Sequence, residues 1–515
     1  MVASLLKVIS SGIQDERLTF GKHTLFPFKK VWMKTGRFTT QWARLDFQQP
    51  PQFGNTAYCR LLRKGHMITR LFLVTEMPDI YKPQALARTL SSTKEAYPKF
   101  GWTNSLGHAL IQSATLTIAT EKVETLDSRL LEILDEFNTP MEKVTALNEL
   151  IKRKDNGFTE TSFGNCLTPE KVITPLPFWF ARGDSGCALP IDAIPMDEIR
   201  VGITFRPLSG LYYTDTHITN TSINDGVEGS SLWPIQGSNF YSEPLPNPAN
   251  PKNPGVPEIP GVQMPQTLQL GDTYLLAEYV YLDQPEANRF RLADLQVPIV
   301  NHYVMKPFDT RGLMSARIRL DIPNPTRDIF FMLNRVEAPT YNAHFLATRD
   351  LKGNPNVLPN PVDSSGNSKV PWWPDAVGLS ARYPFSLRPA FSLSDSEPIT
   401  GYAVEYEGNL VRFRTEGPAL FRSIIPSYEQ RKSPWINRYY YNFPLGIQNG
   451  YTPFSKPQGE ANLDKIKNRD LVLQIRQDRS SDKVTVTPRY VVYVYAEVYN
   501  VLRVVGGRAG LMFAY

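Results

Sequence analysis

Cysteine is scarce: there are three in 515 residues, Cys59, Cys166 and Cys187. An odd, sparse set without C-x-x-C spacing excludes a disulfide framework and fits reduced thiols. Histidine is scarce too. The six residues, His23, His66, His108, His217, His302 and His344, stand one by one, so no zinc or iron ligand set is expected. No segment reaches the ~20 consecutive apolar residues that span a bilayer. The opening Met1-Val-Ala-Ser-Leu-Leu-Lys-Val-Ile-Ser10 lacks a basic leader and is interrupted by Lys7, so it is not read as a secretory signal, and cytosolic synthesis is expected. No glycine loop for phosphate is present: Gly21-Lys22 is followed by His23 and has no upstream glycine. Nor is there a large surplus of one charge. Lys and Arg number 56 against 50 Asp and Glu, a net +6, which does not indicate sequence-specific nucleic-acid binding.

One motif invites a catalytic reading and fails it. Arg182-Gly-Asp-Ser-Gly186 resembles a serine-protease nucleophile segment, which needs a histidine base and a buried aspartate. His108 sits in Leu-Gly-His-Ala-Leu at an expected strand start, the wrong context. Gly-Asp-Ser-Gly is an ordinary turn sequence, so Ser185 is expected to be structural. No catalytic residue, cofactor or metal is assigned.

What the chain does have is proline, 43 residues against 32 glycines, and strands. Residues 40–121 alternate as β structure, with Lys64-Gly65 between apolar runs as a two-residue hairpin signal. The period then changes. Leu130, Leu131, Ile133, Leu134 and Phe137 mark a helix, and Thr139-Pro-Met-Glu142 predicts a second with an N-cap, first-turn proline and capping-box glutamate. Strands are expected at 171–180, 198–205 and 274–282. A helix over 285–294 follows Asp283-Gln-Pro-Glu286. Further strands are expected at 297–306, 313–320, 328–333, 402–406, 410–414, 471–477, 484–487 and 490–499. Two proline-rich stretches, 207–272 and 336–398, are long ordered loops. The first carries eight prolines between 244 and 265. The last strand, Arg489–Tyr499, is apolar on both faces and must lie between two layers, as in a sandwich of sheets. The apolar tail from Asn500 to Tyr515 is either a last core strand or docked under its own fold or a neighbouring subunit. Two antiparallel β-sandwiches in tandem follow from this strand count.

Three surface features are candidates for contact. Asn220-Thr-Ser222 is a formal glycosylation acceptor, with an unmodified Asn220 the alternative. Trp372 and Trp373 suit packing between loops or a sugar platform. Leu5, Leu6 and Ile9 fall on one side of a short amphipathic segment, followed by the basic run Lys22, Lys29, Lys30, Lys34 and Arg37. Such an arm suits anionic lipid, an acidic partner or plain solvation.

Several segments together carry a family resemblance. Ile173-Thr-Pro-Leu-Pro-Phe-Trp-Phe-Ala-Arg182, then Cys187-Ala-Leu-Pro-Ile-Asp-Ala-Ile194 and Glu198-Ile-Arg-Val-Gly-Ile-Thr-Phe205 resemble the first-domain motif of major capsid proteins of nucleocytoplasmic large DNA viruses, the iridovirus and phycodnavirus type. Leu276-Ala-Glu-Tyr-Val-Tyr-Leu-Asp283, Asn437-Arg-Tyr-Tyr-Tyr-Asn-Phe-Pro-Leu-Gly446, Asn462-Leu-Asp-Lys-Ile466 and Tyr499-Asn-Val-Leu-Arg…Gly-Leu511 follow in the family's order. Phe454–Gly459 departs from the family's Gln-Pro-Ser-Gly stretch, and the helical insertion at 125–153 is unusual.

The resemblance implies an all-β fold of two tandem eight-stranded jelly rolls, a double jelly roll, with long ordered loops and a small helical insertion. The expected division is an arm at 1–37, a first roll at 38–284 with insertion 125–153 and loop 207–272, a linker helix at 285–295, and a second roll at 296–515 with loop 336–398. It implies a structural capsid protein, not an enzyme: a homotrimer with a pseudo-hexagonal outline that tiles an icosahedral shell in the virion, made and assembled in the host cytoplasm. Expected partners are its own copies, neighbouring capsomers, minor capsid and penton proteins, and the internal viral membrane through inner-face residues of the arm. Two alternatives remain: a scaffolding relative that shapes an immature viral membrane, and a carbohydrate-active enzyme on tandem β-sandwiches, which needs paired carboxylates in a cleft.

Overall fold

A computed structural model describes residues 36–78, 100–153, 171–214, 268–336, 342, 344, 345, 347, 397–407, 410–415, 417–434, 438–447, 450, 456–481 and 484–513. Among the described residues, sixteen strands build the framework of four antiparallel sheets, one of which carries three further short strands. The first eight are β1 (Phe38–Asp46), β2 (Thr56–Arg60), β3 (Met67–Glu76), β4 (Ile111–Ile118), β5 (Glu121–Asp127), β6 (Lys171–Pro175), β7 (Ile199–Phe205) and β8 (Thr273–Leu282). They pair in the orders β1-β8-β3-β6 and β2-β7-β4-β5. The second eight are β9 (Leu295–Val304), β10 (Ser315–Arg319), β11 (Pro325–Arg335), β12 (Ile399–Tyr406), β13 (Leu410–Thr415), β14 (Tyr440–Pro444), β15 (Asp470–Ile475) and β16 (Tyr490–Val505). They pair as β9-β16-β11-β14 and β10-β15-β12-β13. The two halves therefore repeat one strand order, and each is a jelly roll.

Period-two patterning builds these sheets. In β10, Ala316 and Ile318 are buried while Ser315, Arg317 and Arg319 are exposed. On the exposed face Arg317 reaches Glu405 at 2.7 Å and Asp470 at 2.8 Å, a solvated ion-pair lattice across three strands. The β12–β13 hairpin around Glu407 forms as its sequence suggests.

Among the described residues five α-helices accompany the strands: α1 (Leu106–Leu110), α2 (Ser128–Asn138), α3 (Met141–Ile151), α4 (Gln284–Leu292) and a short α5 (Ile425–Tyr428). Asp127 caps α2 by accepting the Leu130 N–H at 2.7 Å. Asp283 caps α4, with Pro285 in its first turn. This helix joins β8 to β9.

Several local expectations need correction. Lys64-Gly65 does not close a hairpin. β2 pairs with β7, whereas β3 pairs with β8 and β6, so this segment crosses between sheets. Gly65 lies there against Tyr279, where a Cβ would come within 3.0 Å of that side chain. Thr139 does not cap α3; Pro140 occupies that position and the Thr139 hydroxyl donates to Asp135 at 2.5 Å instead. The 171–180 strand stops at Pro175, because Pro175 and Pro177 lack N–H groups for the ladder. His108 is helical, in α1, not at a strand start. The long irregular stretch from 207 contains a strand, Tyr212–Thr214, paired with Phe100–Trp102.

The largest difference concerns β16. Its even-numbered residues from Tyr490 to Val498 enter the second roll's core. Its other face, expected to meet a second sheet, is covered by the first roll's helical insertion. Phe137 of α2 packs on Phe330 of the neighbouring β11 with ring centroids 5.5 Å apart. Arg129 lies 4.0 Å over the Tyr493 ring, and the Tyr495 hydroxyl donates to Asp127 at 2.8 Å. The strand is apolar on both faces because a helix, not a sheet, closes the second one.

Candidate functional site at the seam between the two rolls

The seam holds the densest chemistry among the described residues. Six buried or nearly buried carboxylates, Glu124, Glu132, Asp135, Glu136, Asp328 and Glu497, meet six cations, Arg153, Arg182, Arg327, Arg431, Lys432 and Arg438. Unpaired buried charges cost several kcal/mol each, so such a set persists only when its members compensate one another.

One centre is Arg153, just past the end of α3. Its guanidinium reaches Glu132 at 2.5 Å, Asp135, and Glu136 at 3.6 Å, and it also donates to Ser105 at 3.0 Å. Glu132 further takes His108 Nδ1 at 2.7 Å. Burial opposes ionisation here, but Arg153 and the His108 hydrogen bond hold Glu132 well below the usual carboxylate range. Asp135 is likewise held low by Arg153 against its burial. These residues come from α1, α2 and the end of α3, so the cluster ties the helical insertion together.

From there the network crosses to the second roll. Arg438 pairs with Glu136, Lys432 Nζ lies 3.4 Å from the same carboxylate, and Arg431 donates to Asn138. Arg431 also holds Asp328 of β11 at 2.7 Å and Glu497 of β16 at 3.4 Å. On the other side Arg182 donates to Glu124 of β5 at 2.7 Å and contacts His302 Nδ1 of β9 at 2.7 Å. Glu124 also accepts the Trp179 and His302 backbone N–H groups at 2.8 and 3.1 Å. Against burial, the His302 hydrogen bond and Arg431 keep Glu497 well below the carboxylate range. Burial pushes neighbouring Asp328 up.

A backbone clasp closes the seam at one end. After β16 the chain turns at Gly506-Gly507, both at positive φ (58° and 79°), and returns as a short strand, Arg508–Leu511, on β16. Two left-handed residues in a two-residue turn favour glycine at both positions. The hairpin belongs to the second roll but bonds to the first. Gly507 C=O accepts the Met196 N–H at 3.0 Å, and the Ala509 and Leu511 N–H groups donate to Asp197 at 2.8 Å and Glu121 at 3.3 Å. The tail is thus docked on its own fold, while Met512 and Phe513 remain 58% and 43% exposed.

Of the sequence-derived contact candidates only Arg37 is described. It is exposed, directly before β1, and its carbonyl accepts the Asp283 N–H at 3.2 Å beside the start of α4. Leu5, Leu6, Ile9, Lys22, Lys29, Lys30, Lys34 and Asn220 lie outside the described residues, as do Trp372, Trp373 and Cys166. Ser185 lies in the turn Ser185–Cys187, whose Asp184 accepts the Gly186 N–H. His108 faces Glu132. Cys59 and Cys187 are free and buried, and burial pushes both thiols up to about 12. Sequence reasoning missed the seam. Its one available signal was the charge on the apolar helix α2, Glu132, Asp135 and Glu136 beside Leu131, Ile133 and Leu134, too acidic for a simple core helix.

Comparison with known proteins gives the family. The model of the major capsid protein N-terminus matches residues 26–283, and that of the large eukaryotic DNA virus major capsid protein matches residues 292–510. The major capsid protein of Phaeocystis pouchetii virus is 20% identical over 574 residues, covering 100% of both chains. That of Frog virus 3 (isolate Goorha) is 20% identical over 475 residues, covering 89% of this chain and 86% of its own. Probable capsid protein 4 of Acanthamoeba polyphaga mimivirus is 26% identical over 212 residues, 41% of this chain and 39% of that protein. Among solved structures, the PBCV-1 virus capsid chain aligns with a TM-score of 0.63 at 16% identity, covering 95% of this chain and 100% of that one. The Faustovirus major capsid protein aligns at 0.60 and 9%, covering 97% and 96%. Both likenesses bear on the fold, the double jelly roll. The chain belongs to the major capsid proteins of large eukaryotic DNA viruses: it is a structural protein of the virion, not an enzyme, and it assembles with neighbouring copies into the capsid.

Proposed function

We propose that this chain is the building block of a homotrimeric, pseudo-hexagonal capsomer in an icosahedral shell, with the seam as the joint that makes its two rolls one rigid block. The observation that carries this reading is the helix–sheet seam: α2 of the first roll lies on the β16–β11 face of the second and is charge-compensated there. Two rolls locked at a fixed angle present six roll-sized lobes when three copies close around an axis, and closed symmetry is the usual solution for such contacts. In this reading residues 1–37 are an arm, 38–284 and 296–515 the two rolls, 285–295 the linker, and loops 207–272 and 336–398 the crown and inter-subunit contacts.

The arm, with Leu5, Leu6, Ile9 and the basic residues from Lys22 to Arg37, is the inner-face contact to minor capsid proteins or anionic lipid of the internal membrane. Its emergence at Arg37 beside α4 supports a position at the roll-linker end. Penton proteins and assembly in the host cytoplasm belong to the same reading, and Asn220 is its candidate acceptor for glycosylation. Native mass measurement of the purified protein tests it. The expected species is three times 58.4 kDa, and a stable monomer at micromolar concentration refutes it. Deleting residues 1–20 is expected to keep trimers and to impair shell assembly. Normal particles from the truncated chain would overturn the role of the arm.

A further inference from the structure

Against the charged seam lies a cleft of about 530 Å³, lined in part by His108, Asp135, Arg182 and Arg431 of the charge network. Its walls are α2, α3, the Pro175–Arg182 segment and, from the second roll, Gln430, Arg431 and Gly450. Leu131, Leu134 and Phe137 line one side, and Leu147 and Leu150 of α3 line another, with Pro177 opposite. Helix α3 is unusual here. Only Asn148 and Ile151 of it are buried, yet Lys143, Leu147 and Leu150 follow one helical stripe, and all three line the cleft. Leu150 and Ala146 are exposed, so the cleft opens along this helix. Among the described residues none covers the apolar stripe that this helix turns to the cleft. The volume falls within the range of small-molecule sites, ~300–1,000 Å³.

The charges around the cleft state what the occupant carries. Asp135 is held by Arg153 and Thr139. Arg431 is held by Asp328 and Glu497, and Arg182 by Glu124. His108 faces Glu132. Lys143 remains: exposed, in the first turn of α3, and without a carboxylate partner among the described residues. Among the described lining residues this leaves one unneutralised cation on a largely apolar cleft, which is complementary to one anionic head on an apolar body.

We propose that this cleft binds a single-chain anionic amphiphile, an acyl chain seated along Leu131, Leu134, Leu147 and Leu150 with its carboxylate or phosphate on Lys143. Binding would cover the exposed α3 stripe and brace the helical insertion against the second roll.

The test is a fluorescence titration of the purified full chain with dansyl-undecanoate, competed by dodecanoate, by lysophosphatidate and by neutral dodecanol. Saturable binding of one probe per chain is expected. Dodecanoate should displace it about three- to fivefold better than dodecanol, the effect of one screened ion pair. The tighter of the two anions identifies the head group. K143Q should erase the preference over dodecanol. A146W, which fills the open side from an exposed helical position, should abolish displacement at an unchanged unfolding temperature. Should A146W lower that temperature, the exposed K143Q alone decides the matter. Non-saturable partition, equal displacement by dodecanol and dodecanoate in the parent, or an anion preference that survives K143Q would each overturn the proposal.

Discussion

Replacing Arg153 with methionine should be among the most damaging single changes in the described core. Three carboxylates surround this guanidinium: Glu132 at 2.5 Å, Asp135 in direct contact and Glu136 at 3.6 Å. Glu136 keeps Arg438 and Lys432, but Glu132 is left with His108 and Ser105, and Asp135 with Thr139. Methionine fills much of the volume, so the loss is electrostatic. Breaking a buried pair by removing one partner costs about 3–5 kcal/mol. At roughly 2–4 °C per kcal/mol for a cooperative unit of this size, the unfolding temperature should fall by roughly 6–20 °C. Differential scanning fluorimetry at fixed protein concentration measures it, since assembly makes the midpoint concentration-dependent. The same reasoning fixes a pH signature. Without Arg153, burial is opposed only by His108, Ser105, Thr139 and the more distant Arg438, and is expected to raise the two stranded carboxyls above their unfolded values. As pH falls from 8 to 5 they take up protons, and the gap between variant and parent should narrow. Adding Glu132→Gln and Asp135→Asn should recover most of the loss at pH 8. A variant within 2 °C of the parent at pH 8, or a gap that does not change with pH, refutes the reasoning.

Other outcomes follow from the same geometry. Glu132, Asp135 and Glu497 have folded values below the usual range, so the stability they contribute is present above about pH 4.5 and is lost as pH falls through their folded values; Asp328, pushed up by burial, works in the opposite direction. An acid-unfolding series should therefore show a steep loss below about pH 4, and a flat profile down to pH 3 would refute it. His344, driven down to about 3 by burial and Arg206, stays neutral in the fold and begins to cost stability as the unfolded chain protonates below about pH 6.5; His344→Gln should flatten the profile between pH 6.5 and 4. Gly507→Val places a Cβ 3.0 Å from Pro195 at a φ of 79°, costing about 1–3 kcal/mol and freeing the tail to proteolysis; unchanged protease resistance of the native protein would contradict the clasp. Thiol titration in denaturant without reductant should count three free cysteines, and before unfolding Cys59 and Cys187 should react slowly, since burial holds them as thiols; a count of one would show a disulfide.

Much of the fold was legible because it is local. Alternation in Ser315–Arg319, the hairpin at Glu407 and the helix start at Asp283 depend on residues a few positions apart. So do the turn at Arg182–Gly186 and the ordered family motifs. Local signals also misled where tertiary pairing overrode them, as at Lys64-Gly65, where two flanking strands join different sheets. The two-faced apolarity of β16 correctly demanded a second covering layer, but nothing in the strand itself names that layer. Arg438 meets Glu136 across 302 positions, Arg431 meets Asn138 across 293, and Tyr495 meets Asp127 across 368. No pattern in a window of sequence encodes such a partner. By itself, then, the sequence determined most of the strands, the helices α2, α3 and α4, the division into two β halves and the family. Tertiary structure alone decided that the helical insertion would close the second roll, that six carboxylates and six cations would share one buried seam, and that the tail would clasp the first roll. The reason is physical: burial rewards any compensating arrangement of charge and apolar surface, and only the folded path of the chain selects which distant groups are close enough to supply it.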